Sequence, residues 1–298
     1  VCIAIGSFMG GSYITLAGIR EGEPVAEMAR SFPMATRVSL VIAGLHAMEW
    51  IGVETALAIA EDFARRPPSD RRLVLLPLQN PDGYAKAERE LRAGKRRFTR
   101  ANARGVDLNR NFPTHFRPWH LRAALFPFLG GPGSAPGSEP ETRVILETLA
   151  RERGRIDRAV SLHSFGRKLL LPYGGRWRVP DDVARLRALA REVSVGLGGR
   201  YDALVSSHWL PGGFAFGMEL DHLHAEGITP LLVECSAGGA RWRDPSTWLH
   251  PFRWFNPRDP EVQAPEIARA LRGCLDPGAA STAERDVAAA PARSEAKA

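Results

Sequence analysis

Three short apolar runs, each followed at once or nearly so by a histidine or a glutamate, constrain this chain most. Arg37 to Gly44, Asp157 to Leu162 and Ile228 to Val233 are rich in Val, Ile and Leu, and apolar runs of that length between polar or glycine punctuation read as strands buried on both faces. His46 lies just past the first run, His163 follows the second and Glu234 the third. Further strands are expected at Leu73 to Leu78 and Lys168 to Leu171. Helical spacing marks Ile51 to Ala64, which Pro67-Pro68 stops, then about Ser138 to Arg153, Asp181 to Leu197 and Glu261 to Cys274. Ser138-Glu139-Pro140-Glu141 carries an N-cap serine, an early proline and first-turn acids, all of which favour a helix start. The alternation implies an α/β fold: a three-layer single domain with a mixed, largely parallel twisted sheet and helices on both faces. In such sheets ligand groups gather beyond the carboxyl ends of strands.

Composition allows that fold and narrows the partners. Of 298 residues 44% are apolar and 24% charged, enough to fill a core. The net charge is +7, yet only Lys86, Lys95, Lys168 and Lys297 are lysines, and the arginines are scattered apart from the group between Arg96 and Arg104. Without an aromatic-interleaved basic motif this reads as solvated helix faces, and no nucleic-acid partner is expected. Cys2, Cys235 and Cys274 form no C-x-x-C pair and imply no disulfide framework. Val1 to Ile19 is apolar but broken by Gly, Ser and Tyr and has no basic leader, so it reads as part of the fold rather than as a signal peptide or membrane span. The compartment is open, with a soluble, cytoplasmic monomer as the default. Residues 1–275 are expected to form the domain. Residues 276–298, Ala-rich and charged with almost no large apolar side chain, are expected to be a disordered tail.

The stretch from Gln79 to Gly137 is polar, Arg-rich and Gly/Pro-rich with little sustained periodicity, which marks it as the place for substrate-handling loops. Before it stands His46-Ala-Met-Glu49-Trp50. Two potential ligands three residues apart, on a turn leaving a strand and entering a helix, can converge on one metal ion. Alone the spacing is weak, since 8 His and 33 acidic residues produce it readily by chance. His163, at a second strand end within Ser161-Leu-His-Ser-Phe165, supplies the third ligand that catalytic zinc requires, leaving one position open for water.

With Asn80-Pro-Asp-Gly-Tyr84, Gly105-Val-Asp-Leu-Asn-Arg-Asn111 and Ser138-Glu-Pro-Glu-Thr142 in the same order, the chain resembles the zinc metallocarboxypeptidases, the family of the pancreatic digestive enzymes, over most of residues 1–275. The resemblance implies one Zn²⁺ per chain held by His46, Glu49 and His163, and Glu234 as the catalytic base and acid. It implies Asp107 as the carboxylate that bonds the first zinc histidine. Arg100 is the candidate oxyanion partner, with Arg97 and Arg104 as alternatives. Asn109 and Arg110 would grip the free carboxylate of a peptide's C-terminal residue. The family's substrate-capping tyrosine is missing from Ser207-His208-Trp209-Leu-Pro-Gly-Gly213, which leaves His208 in that place. Specificity in the family is set near Asp221, where Glu219 facing inward would favour a basic residue and Leu220 an apolar one. The expected activity is removal of C-terminal residues from a peptide or peptide-like substrate. Alternatives are a zinc amidase or endopeptidase acting on cell-wall peptides or acylated amino acids, and a silent binding module, whose mark would be a lost ligand or a lost Glu234.

Overall fold

Side chains alternate along strand β3 (Arg37–Ala43) and so divide the core in two. Val38, Leu40 and Ile42 face one layer of helices, while Val41 and Ala43 face the other. The computed structural model describes residues 4–6, 13–15, 37–68, 70–118, 127–209, 214–240 and 244–278. Its main sheet also contains β4 (Arg71–Leu76), β5 (Ile156–His163), β6 (Lys168–Leu171), β7 (Asp202–Val205) and β8 (Thr229–Glu234), in the spatial order β4-β3-β5-β8-β6-β7. Within Val1 to Ile19, β1 (Ala4–Gly6) and β2 (Tyr13–Thr15) pair antiparallel. The rest of that stretch, and the tail beyond residue 278, lie outside the described residues.

All pairings in the six-stranded sheet are parallel except β6 with β8. The exception follows from chain length. Parallel neighbours need a long crossover, whereas only Ser164 to Arg167 separate β5 from β6. This link passes over the end of β8, where the Gly166 and Arg167 N–H groups donate to the Ser236 carbonyl, and it returns the chain in the opposite direction.

Helices α1 (Trp50–Arg65), α4 (Val183–Gly196) and α7 (Pro260–Leu275) cover one face of the sheet, with Phe63, Leu186 and Leu271 in that core. On the other face Ile145 and Leu149 of α3 (Pro140–Arg151) pack beside Phe112 and Leu223. The cap of α3 is Glu139 rather than Ser138, whose hydroxyl instead donates to the Glu139 carboxylate. Three helices were not expected from the sequence. They are α2 (Pro81–Arg92), inside the stretch read as loop, and the short α5 (Glu219–Ala225) and α6 (Pro251–Phe255). The start of α2 was in fact legible, because Asn80 caps it by accepting from the Gly83 N–H, Pro81 opens it and Asp82 sits in its first turn. Among the described residues no helix is long and apolar enough to cross a membrane.

Close contact between α1 and β5 sets the position of the strand end that matters most. A Cβ at Gly52 would lie 2.8 Å from the Leu162 carbonyl oxygen, one residue before His163. Gly52→Ala must therefore push helix and strand apart, and a loss of about 1–3 kcal/mol is expected. Urea melts would measure it, and an unchanged midpoint would show that the contact yields freely.

Candidate active site

Three adjacent parallel strands deliver their chemistry to one edge. His163 ends β5, directly paired with Glu234 at the end of β8, and β3 on the other side of β5 runs through Gly44 into the His46 turn. Glu49 is the N-cap of α1, and its N–H donates to the His46 carbonyl, which brings both side chains to the same side of the turn. The turn is braced from behind. Asn80 donates from its side chain to the Leu45 carbonyl and from its backbone to that of Gly44, and the Trp50 indole donates to the Ala47 carbonyl while stacking on Tyr84.

His46 Nδ1 lies 2.7 Å from Glu49 Oε1, His163 Nδ1 2.9 Å from Glu49 Oε2, and the two Nδ1 atoms 3.1 Å from each other. All three residues are buried, and they form a group able to hold a metal ion. Two imidazole lone pairs and a carboxylate aimed at one point repel unless a cation sits among them. Tetrahedral zinc with bonds of about 2.0–2.1 Å to nitrogen would space its ligands by about 3.3 Å, a few tenths of an ångström beyond these separations. The buried acids Glu49, Asp107, Glu219 and Glu234 around this point make the region one that favours a cation. The residues thus fit zinc.

The outer nitrogens are occupied too. His46 Nε2 is 3.1 Å from Asp107 Oδ1, and Asp107 is itself held by Arg100 Nε at 2.8 Å and the Asn109 N–H at 3.0 Å. Burial opposes ionisation of Asp107, but Arg100 and Arg110 outweigh it and keep its carboxyl well below the usual range. Burial likewise opposes the charged forms of Glu49 and His163. His46 and His163 nevertheless hold Glu49 low, and Glu219 with Glu49 pushes His163 up to about 10. Glu234 goes the other way. Burial and the charge of Glu49 push it up to about 8, and its Oε2 is buried without a hydrogen-bond partner.

His46, Glu49, His163 and Glu234 line a cavity of about 440 Å³ together with Arg100, Asn109 and Arg110. Of the three candidate arginines only Arg100 reaches it; Arg97 and Arg104 are exposed beside Glu90 and Glu139. Buried Arg110 donates from Nη1 to the Asn109 carbonyl and, among the described residues, forms no ion pair. Asn109 commits its Oδ1 to the Glu219 N–H and keeps Nδ2 beside His163. His208 does not line the cavity. It is exposed and packs on Trp177, and Ser206 and Trp209 occupy the wall instead, because the one-turn helix at Ser206–His208 swings His208 outward.

The sequence reading also missed the apolar walls. Leu170, Leu232, Ala215 and Met218 form one cluster, in which Leu220 is also buried, and Phe98, Phe165, Trp254 and Phe255 form another group of lining residues. Single aromatic residues spread over widely separated loops carry no local signal that they will share a surface. Glu219 faces neither wall. It turns back under the site, 2.9 Å from His163 Nε2.

A family model described as zinc carboxypeptidase matches residues 3–210. Among characterised proteins, carboxypeptidase A2 of Rattus norvegicus is 30% identical over 179 residues, covering 52% of this chain and 40% of the relative. Carboxypeptidase A1 of the same species is 26% identical over 244 residues, 73% and 55% of the two chains. The chain spans about half the length of these relatives. The crystal structure of carboxypeptidase A from Helicoverpa armigera superposes with a TM-score of 0.65 over 87% of this chain and 63% of that one at 23% identity, which establishes the shared fold.

Proposed function

We propose, for a chain that belongs to the zinc carboxypeptidase family, that it removes single residues from the free C-terminus of peptides and favours an apolar terminal side chain. Arg110 carries this reading. A guanidinium this buried, lining the cavity and paired with no carboxylate of its own among the described residues, is suited to an anion brought by the substrate, and its planar fork matches a terminal carboxylate. Asn109 offers its Nδ2 group alongside.

The apolar cluster of Leu170, Ala215, Met218 and Leu232 supports the side-chain preference, since no acid lies among those four lining residues to meet a lysine or arginine. Leu170 and Leu232 form a cross-strand pair at the antiparallel β6–β8 ladder, so the reversed strand shapes this wall. Of the two residues that the sequence left open as determinants, Leu220 joins the cluster and Glu219 does not.

His46, Glu49 and His163 would hold the zinc, which when bound supplies a Lewis acid and lowers the pKa of water to about 7. Glu234 accepts the proton of the attacking water and passes it to the departing amine. A carboxylate whose affinity for a proton is raised by burial is poised to do both near neutral pH. Arg100, held by Asp107 and 3.5 Å from Glu49, offers its remaining N–H groups to the oxyanion of the tetrahedral intermediate.

The test is digestion of a mixed peptide library, half of it C-terminally amidated, read by mass spectrometry. Loss of single Leu, Phe or Met residues from free-acid peptides only is the expected result. Internal cuts, or equal cutting of amidated peptides, would favour the endopeptidase or amidase reading; preferential loss of Lys or Arg would overturn the side-chain assignment.

A further inference from the structure

Resting on that same zinc-site reading, we infer that Glu219 is a positioning residue that orients and polarises His163, as Asp107 does His46, so that both zinc histidines are locked from behind by a buried carboxylate.

The geometry is nearly symmetrical. Each imidazole presents Nδ1 to the common point and Nε2 to a carboxylate oxygen, Asp107 Oδ1 at 3.1 Å for His46 and Glu219 Oε1 at 2.9 Å for His163. A ring whose Nδ1 lone pair binds a metal must carry its proton on Nε2, and Glu219 Oε1 is placed to accept that N–H. The acceptor is itself fixed. Ser161, two residues earlier on β5, donates from Oγ to the same Oε1 at 2.8 Å, and the Glu219 N–H is held by Asn109 Oδ1 at 3.1 Å. Further along α5, Asp221 is pinned by the Gly174 and Gly175 N–H groups and by His115 Nδ1 at 2.7 Å, which fixes the short helix against the loop after β6.

The two carboxylates differ in how they are compensated. Asp107 has Arg100 as a partner, whereas among the described residues the only ion pair of Glu219 is with His163. Glu219 is fully buried, and its Oε2 has no hydrogen-bond partner. An acid so placed is costly to the fold unless its charge is transmitted through the ring to a cation. It does not line the substrate cavity, so its effect on catalysis passes through His163.

Metal affinity, measured without substrate, tests this. Competition with a chromophoric zinc chelator is expected to give a Kd about 10–100-fold weaker for Glu219→Leu. Glu219→Gln, which keeps an oxygen acceptor but loses the charge, should fall between Leu and wild type. Melts of the metal-free proteins measure separately what the Glu219 contacts with His163 and Ser161 give the fold, whereas the Kd, read on the folded protein, reports positioning of the ligand. If Glu219→Leu fails to fold, Glu219→Gln and Ser161→Ala decide, each expected to weaken zinc several-fold. Wild-type zinc affinity in whichever variants fold overturns the inference alone, whereas a wild-type protein that takes up no zinc overturns the functional reading beneath it.

Discussion

Glu234→Gln will lose about 10²- to 10⁴-fold in kcat while binding zinc as the parent does, and its metal-free form will be the more stable protein at neutral pH. Both effects have one cause. Glu234 is buried, faces the negative charge of Glu49 and leaves Oε2 without a partner, an arrangement that serves proton transfer and strains the fold. The sign follows from its proton affinity. Because burial and Glu49 raise its folded pKa from the ordinary 4.5 to about 8, this group's contribution to stability is fully present below about pH 4.5 and is lost as the pH climbs through 8. Glutamine carries no such charge, so the stability gap between variant and parent should open across that window. At pH 8 it should reach roughly a few kcal/mol. Urea melts after chelation at pH 5, 6.5 and 8 would measure the gap, and a gap that shrinks with rising pH would contradict the assignment. Retained turnover in the glutamine variant would remove Glu234 from the mechanism.

Arg110→Met should be the second large effect, and it should be selective. If the guanidinium receives the substrate's terminal carboxylate in a buried site, deleting it costs about 2–5 kcal/mol of binding in the transition state, or roughly 30- to several-thousand-fold in kcat/KM. Free-acid peptides should suffer this loss and amidated ones almost none, so the preference between them collapses. The fold should tolerate the change, since Arg110 gives up one hydrogen bond to the Asn109 carbonyl and no ion pair with a described residue. Equal losses on both substrate types would assign Arg110 a structural role.

Much of this was legible along the chain. Buried strands announce themselves as apolar runs, and the rule that ligands collect beyond strand ends already groups His46, His163 and Glu234. Observed strand and helix limits shifted by only one or two residues at most ends. The reverse of β6 follows from the short link, yet β7 and α5 were missed, because runs as brief as Asp202–Val205 and Glu219–Ala225 hold too few positions to display a period.

What the sequence determined by itself is therefore the fold class and the three residues able to hold a metal, since both rest on local pattern and on motifs in order. Tertiary structure decided everything that depends on which way a loop residue points. It brought Arg100 but not Arg97 or Arg104 to the cavity, turned His208 out toward Trp177, buried Leu220 in the apolar cluster and folded Glu219 under His163. Those outcomes depend on how separate loops pack against one another.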